Sequence, residues 1–359
     1  MICNSMDFDF KLFDKPVSYY QSMINDIENA KKYVYLEIYR FNNDPEGAKF
    51  RDVLAKKAKQ GIEVKLLLDS WGTSTGLSFF MDIIKNGGEV RFFKKIKFFF
   101  DFFTKNHRRN HKKLLIIDDK ISYIGSGNIA AYSIDWRELM LRLHSDIALH
   151  FKKIFLYDYK NYNKYKYNQR GYFKNIKFQE FTILRDRPSI VQQRIRRKFI
   201  KLIKTAEKNI IIETPYFLPG YKLRKALADA GKKGVDVKIL TPKYSDVRIV
   251  DILRDRYLGK YYINNVKILF FLPVNLHSKL LMIDNKTFLM GSSNFDYRSS
   301  RYQHEICLMG TNKNIIKSLN KHISVTLKYC EHFNYEEWLK RPLILRFYEW
   351  LLLPLRYLL

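Results

Sequence analysis

Cysteine is scarce in this chain: Cys3, Cys307 and Cys330 are far apart in 359 residues and show no C-x-x-C or other ligand spacing. That excludes a disulfide framework and a structural zinc site, and reduced thiols of a cytosolic protein are expected. A long apolar run is also missing, since no stretch reaches the roughly 18 residues that a membrane-spanning helix needs. The opening Met1-Ile-Cys-Asn-Ser-Met-Asp-Phe8 has neither the basic nor the apolar region of a signal peptide. Acidic residues are the third shortage, with 36 Asp plus Glu against 65 Lys plus Arg, a net charge of +29. A polyanionic partner follows, either a nucleic acid or an anionic membrane surface, and charge by itself does not choose between them. The aromatic share of 16% leans toward a membrane interface. Length allows two ordinary domains or one large α/β unit with a sizeable core.

What the chain does have is an internal repeat, which decides architecture before any single motif is weighed. Ala30-Lys-Lys-Tyr-Val-Tyr-Leu-Glu37-Ile-Tyr-Arg-Phe41 recurs as Ala206-Glu-Lys-Asn-Ile-Ile-Ile-Glu213-Thr-Pro-Tyr-Phe217, an offset of 176. Gly61 to Leu67 recurs as Gly234 to Leu240, and His111-Lys-Lys113-Leu-Leu-Ile-Ile-Asp118 recurs as His277-Ser-Lys279-Leu-Leu-Met-Ile-Asp284 at an offset of 166. Kept order with slightly shrinking spacing is what two lobes with loop deletions produce. Each copy reads as α/β. Tyr33 to Tyr39 is rich in strand formers, Phe50, Val53, Leu54 and Ala58 share one helical face ending at Gly61, and Val64 to Leu68 is a buried strand. In the second copy Leu223, Ala226, Leu227 and Ala230 form the helical stripe, and Val237 to Leu240 is the strand. The expected domains are residues 1–180 and 181–340, followed by a tail at 341–359. Tyr157 to Lys177, thick in Tyr, Asn and Lys without clean periodicity, is expected to contain the connection.

The repeated His-x-Lys carries the chemistry. Each copy is followed by a second matched patch, Gly125-Ser126-Gly127-Asn128 and Gly291-Ser292-Ser293-Asn294, again offset by 166. In a strand, residues two apart point to one face, so His111 projects with Lys113 and His277 with Lys279. The apolar runs 114–117 and 280–283 then enter the core. A tight turn at Asp119-Lys120 or Asn285-Lys286 returns the chain, delivering Ser126 and Asn128, or Ser292 and Asn294, beside each pair. Two lobes facing each other give one pocket with doubled parts. Such a pocket suits phosphoryl transfer through a covalent intermediate: one neutral imidazole attacks phosphorus and a second acts as acid and then base. Lysines and asparagines surround the non-bridging oxygens, with Ser126 and Ser292 expected in the phosphate pocket. A nucleophilic imidazole needs an acceptor on its other nitrogen. Glu305 fills that role in the second lobe, and in the first Asp146 is preferred to Glu138 because Asp146-Ile-Ala matches Glu305-Ile-Cys as a strand start. Asp118 and Asp284 end strands and are expected to be structural. No carboxylate cluster with metal spacing accompanies the motifs, so neither metal nor other cofactor is called for.

These residues resemble the phospholipase D superfamily over nearly the whole chain. Thr214-Pro-Tyr-Phe-Leu-Pro219 and Gly291-Ser-Ser-Asn294-Phe-Asp296-Tyr297-Arg298-Ser299 are similar to stretches of bacterial cardiolipin synthases, as are Asn110-His111-Lys-Lys113 and Gly125 to Ile129 followed by Tyr132 and Trp136. The resemblance implies two similar α/β/α sandwich lobes related by a pseudo-twofold axis, an active site between them and no required cofactor. It implies that one histidine attacks phosphatidylglycerol, the other protonates the departing glycerol, and a second phospholipid's hydroxyl displaces the enzyme. His111 is assigned as nucleophile and His277 as acid and base. Ser126 stands where such synthases commonly have a second Gly, and Gln303-His304-Glu305 replaces their usual Asn-x-Glu. A hydrolase of phospholipids and a nuclease of the same superfamily are the alternatives.

Two segments point to a lipid surface. The tail 342–359 arranges Leu343, Phe347, Trp350, Leu351 and further leucines around Arg346, Glu349 and Arg356, suited to lie in an interface or to dock on the protein's own core. The stretch 91–103 interleaves phenylalanines with basic residues, and Phe98, Phe99, Phe100, Phe102 and Phe103 around Asp101 read as an exposed apolar lip leading into His111. Peripheral attachment to the cytoplasmic face of a membrane is therefore expected.

Overall fold

The computed structural model describes residues 8–93, 107–164 and 174–358. The chain separates after Phe178 into two units, each with its own sheet. The lip proposed at Phe98 to Phe103 lies outside the described residues.

The first unit contains β1 (Asp9–Phe13), β2 (Tyr33–Ile38), β3 (Glu63–Asp69), β4 (Glu89–Phe93), the two-residue β5 (Arg109–Asn110), β6 (Leu114–Ile117), β7 (Ile121–Gly125) and β8 (Met140–His144). Its seven-stranded sheet runs β1-β8-β7-β6-β2-β3-β4. β2, β3 and β4 are parallel, and β6 enters antiparallel beside β2. Alternation along β2 sorts its side chains between two layers. Val34, Leu36 and Ile38 join the core beneath helices Pro16–Glu28 and Pro45–Lys59, with Tyr20, Phe50 and Leu54. Tyr35, on the opposite face, stacks on Phe155 of helix Ile147–Asn161, with ring centroids 4.9 Å apart. The Pro45–Lys59 helix starts where its sequence says it should: Asp44 accepts the Gly47 N–H, and Pro45 occupies the first turn.

After the short β9 (Ile176–Phe178), the second unit repeats the plan with β10 (Phe181–Asp186), β11 (Asn209–Glu213), β12 (Asp236–Pro242), β13 (Val266–Phe271), β14 (Leu280–Ile283), β15 (Thr287–Gly291), β16 (Gln303–Gly310) and β17 (Cys330–His332). The order is β17-β13-β12-β11-β14-β15-β16-β10. Ile210 and Ile212 face the core under helices Arg194–Lys204 and Tyr221–Lys232, while Ile211 packs with Leu327 at the end of helix Lys313–Leu327. The sequence repeat is also a repeat of register. Val34 pairs with Ile117 and Glu37 with Leu114, and the matching Ile210 and Glu213 pair with Ile283 and Leu280.

The two hairpin turns differ from expectation by one residue. Ile117 pairs with Ile121 and Ile283 with Thr287, and the residues at positive φ are Asp118 (52°) and Asp119 (62°), Asp284 (53°) and Asn285 (51°). The centre of each turn is therefore Asp118-Asp119 or Asp284-Asn285. Asp and Asn tolerate this left-handed region better than other non-glycine residues, and consecutive positive φ values match the twist of the flanking strands. The connection also starts later than expected. Residues 157–161 continue helix Ile147–Asn161, and Asp158 there is buried.

Asp118 and Asp284 act as clamps. The Asp118 carboxylate accepts the backbone N–H groups of Lys31 (2.5 Å), Lys32 (2.8 Å) and Tyr33 (2.9 Å) at the entry to β2. Asp284 accepts those of Glu207 (3.0 Å), Lys208 (2.7 Å) and Asn209 (2.9 Å) at the entry to β11. Partial burial works against ionisation of Asp284, but the three N–H donors outweigh it and hold its carboxyl below the usual range. A carboxylate with a lowered folded-state pKa stabilises above its unfolded value of about 3.9 and loses that contribution as pH falls through the folded value. Asp284→Asn should cost about 1–2 kcal/mol at pH 7 in urea unfolding, and the difference from the parent should shrink below about pH 4.

Candidate active site

Each His-x-Lys lies at the entry of the strand next to the central one. In the first unit Lys113 turns its ammonium back to the His111 carbonyl at 2.6 Å, and in the second Lys279 reaches the His277 carbonyl at 2.7 Å. Both lysines and both histidines are buried. The Tyr39 ring packs edge-on to His111, with centroids 4.9 Å apart, and Lys113 Nζ stands 5.1 Å from the same ring. Pro215 occupies the matching position in the repeat, so the two imidazoles have different neighbours.

The Gly-Ser patches sit at the end of the hairpin. Gly125 pairs with Met140 and Gly291 with Cys307, and a Cβ at either glycine would collide with the carbonyl oxygen of Leu139 or Ile306. Ser126 and Ser292 follow, both fully buried. Ser126 Oγ donates to the Glu138 carboxylate, and the Leu139 N–H donates to Ser126 Oγ at 2.9 Å. Ser292 Oγ donates to the Glu305 carboxylate, and the Ile306 N–H donates back at 2.9 Å. Both hydroxyls are thus spent on carboxylates rather than left to a phosphate, which revises their expected role.

The same geometry corrects the choice of acid in the first unit. Glu138, not Asp146, is the counterpart of Glu305, because each glutamate binds the serine of its own patch. Asp146 lies beyond the far end of β8, just before helix Ile147–Asn161, and pairs with Lys120 at 2.6 Å on the surface. The likeness of Asp146-Ile-Ala to Glu305-Ile-Cys misled because Asp146 begins a helix, whereas Glu305 lies within β16.

Asn128 and Asn294 complete the matched set. A bridge between Phe41 and Ile129 fixes the first, and a bridge between Phe217 and Phe295 fixes the second. Both side chains are buried, and the Oδ1 of each lacks a hydrogen-bond partner among the described residues. A buried amide oxygen is thus left open at equivalent places in both units.

Behind each motif lies a network that motif reading passed over. Glu37 is fully buried, accepts from Asn110 Nδ2 at 2.7 Å, and faces Lys112 Nζ at 3.4 Å. Lys112 also pairs with Asp158. Glu213, equally buried, accepts from Ser278 Oγ at 2.6 Å and lies 2.7 Å from His322 Nε2. The middle residue of each His-x-Lys therefore ties its strand to a glutamate on the central strand, and the network reaches a helix on that face through Lys112 and Asp158 in the first unit and through Glu213 and His322 in the second. Burial pushes the Glu37 carboxyl well above the usual range; Lys112 opposes that rise and Asp158 adds to it. The signal for Glu37 and Glu213 was present, since they match at the 176 offset. Asp158 and His322 carried none, lying on helices outside the repeated segments.

The "Cardiolipin synthase, PLD-like domain" family model matches residues 23–159 and 199–326. The chain belongs to this family of the phospholipase D superfamily. It is 32% identical to a cardiolipin synthase of Clostridium perfringens, covering 94% of this chain and 74% of that protein. A cardiolipin synthase of Listeria welshimeri is also 32% identical, covering 96% and 74%. Among solved structures, phosphatidylserine synthase of Haemophilus influenzae superposes with a TM-score of 0.75 at 12% identity, covering 99% of this chain and 98% of that one. That likeness shows the fold. The chain is thus an enzyme of the cardiolipin synthase type within the phospholipase D superfamily, and among its described residues no helix is long and apolar enough to cross a membrane.

In this cardiolipin synthase-type enzyme, Lys112 is the cation that offsets two buried carboxylates. Lys112→Met should destabilise the protein by about 3–5 kcal/mol, because Glu37 and Asp158 remain buried without it. A carboxylate whose folded pKa is raised destabilises as pH climbs through it, so the deficit should be larger at pH 8 than at pH 5. Urea titrations at the two pH values measure it.

Proposed function

We propose that this enzyme transfers a phosphatidyl group from phosphatidylglycerol to the hydroxyl of a second phospholipid, through a covalent phosphohistidine. The observation carrying this reading is the doubled set: two His-x-Lys pairs, each lysine folded onto the carbonyl of its own histidine, each followed by a buried Ser-Glu pair and an open asparagine oxygen. Double displacement needs two imidazoles, and the duplication supplies them. His111 attacks phosphorus, the P–O bond to glycerol breaks, and the His277 imidazolium gives its proton to the departing oxygen. The acceptor hydroxyl then loses its proton to His277 and displaces His111 by forming a new P–O bond. Lys113, Lys279, Asn128 and Asn294 hold the non-bridging oxygens as negative charge gathers there. Glu138 and Glu305 orient the imidazoles.

Attachment to the membrane surface is assigned to the tail. Helix Leu343–Leu351 is built inside out relative to a helix that docks by its apolar face. Glu349 is 3% exposed and takes two hydrogen bonds from Arg341, at 2.9 and 3.2 Å, while Leu343 is 78% and Trp350 62% exposed. Leu343, Phe347, Trp350 and Leu351 fall at helical spacing on the outward side. Leu352 and Leu353, just beyond, pack inward against Leu218, Leu253 and Tyr297. The anchored base and the open apolar face together fit a helix lying in a lipid interface, with +29 of net charge favouring anionic lipids.

Incubation with phosphatidylglycerol vesicles and mass analysis of products tests the chemistry. Cardiolipin with free glycerol is expected; phosphatidic acid would mean hydrolysis, and single-stranded DNA cleavage without lipid turnover would mean a nuclease. His111→Ala and His277→Ala should each lower turnover by at least about a thousandfold with the fold intact. For the tail, Leu343, Phe347 and Trp350 changed together to Ser should reduce co-sedimentation with anionic vesicles at least about tenfold without lowering the unfolding midpoint.

A further inference from the structure

The second unit carries a cavity that the proposed chemistry leaves unused. It lies between helix Tyr221–Lys232 and helix Arg248–Tyr262, and its volume is about 210 Å³. That is many times the roughly 10–15 Å³ that one water requires. None of His277, Lys279 and Asn294 lines it. Four cations do, Arg224, Lys225, Lys232 and Lys260, against the single carboxylate of Asp229. Asp229 is itself taken up by Lys225 at 2.9 Å, so the cavity stays positive.

The lining selects for an anion that carries oxygen. Arg224, Lys225, Lys232 and Lys260 outnumber Asp229, and Arg and Lys are the side chains that hold phosphate oxygens.

The cavity also adjoins the tail. Tyr257 lines it, with the Arg224 guanidinium 4.3 Å from the centre of its ring. The hydroxyl of the same Tyr257 accepts from Arg356 at 3.1 Å, and Arg356 follows the outward-facing apolar helix. A molecule with its charged end in the cavity would therefore have its apolar end beside Trp350 and Leu351. We propose that this cavity binds the phosphate of an anionic phospholipid headgroup, separate from the histidine chemistry, and seats the tail on the bilayer. Bulk attraction of +29 to a negative surface needs no such cavity; a defined site requires saturation and dependence on the lysines that line it.

The test uses the full chain, with sn-glycerol 3-phosphate and inorganic phosphate as soluble probes in calorimetry, and phosphatidylcholine vesicles with and without phosphatidylglycerol in sedimentation. Saturable binding of glycerol phosphate is expected. Lys232→Gln should weaken it about tenfold, the loss of one hydrogen bond between charged groups. The exposed pair Lys232→Gln with Lys260→Gln should weaken it at least as much without affecting the fold. Both variants should lose affinity for phosphatidylglycerol vesicles in parallel while turning over detergent-dispersed substrate at the parent rate. Failure of the transferase reading would leave these binding results unchanged, so the two ideas fall separately. Parent-like binding by both variants would overturn the site. Weakened soluble binding with unchanged vesicle affinity would overturn its lipid assignment and leave a site for free phosphate compounds.

Discussion

Both units depend on one contact repeated twice: a carboxylate at a hairpin tip holding three consecutive backbone N–H groups at the start of the central strand. The hairpin and the central strand are far apart in sequence, and their register fixes everything downstream. A slip of one residue would turn His111 and Lys113 to the opposite face of the sheet, and likewise His277 and Lys279. The clamp opposes that slip at the end of the strand farthest from the chemistry. Asp118 and Asp284 are thus the rulers from which the positions of the histidines are measured.

Much of this was legible in the chain. The repeat exposed two equivalent α/β units, the strand formers of Tyr33 to Tyr39 exposed a strand, and His-x-Lys followed by Gly-Ser-x-Asn exposed the motif hairpin. Local patterns sufficed wherever strand period or turn chemistry carried the information. They failed at Glu138, because its partner Ser126 is chosen by cross-strand register, which short similarities around Asp146 do not encode. They failed again at Asp158 and His322, whose significance arises only when a helix packs on the sheet above a buried glutamate. Side chains that act across layers have no spacing rule to betray them.

The tail and the cationic cavity share a physical logic. An apolar face is left outward because the inward face is occupied by an ion pair, Arg341 with Glu349, and by Leu352 and Leu353. Such a helix is already formed without a bilayer, so less ordering entropy would oppose its association with one. The cavity beside it would add direction, since a phosphate held by its cations orients a surface that hydrophobic burial leaves free to rotate.

The middle position of His-x-Lys has a consequence for how such a chain can change over generations. Lys112 answers two buried carboxylates, Glu37 and Asp158, whereas Ser278 answers one, with His322 beside it. The two halves have settled on different internal charge sets behind the same visible motif. A single exchange between halves, Lys for Ser or Asp for His, would strand a charge in the interior, so the residues of each set can be replaced only together. Duplicated lobes that began alike are in this way locked onto separate tracks, and the blank letter of the motif records which track each has taken.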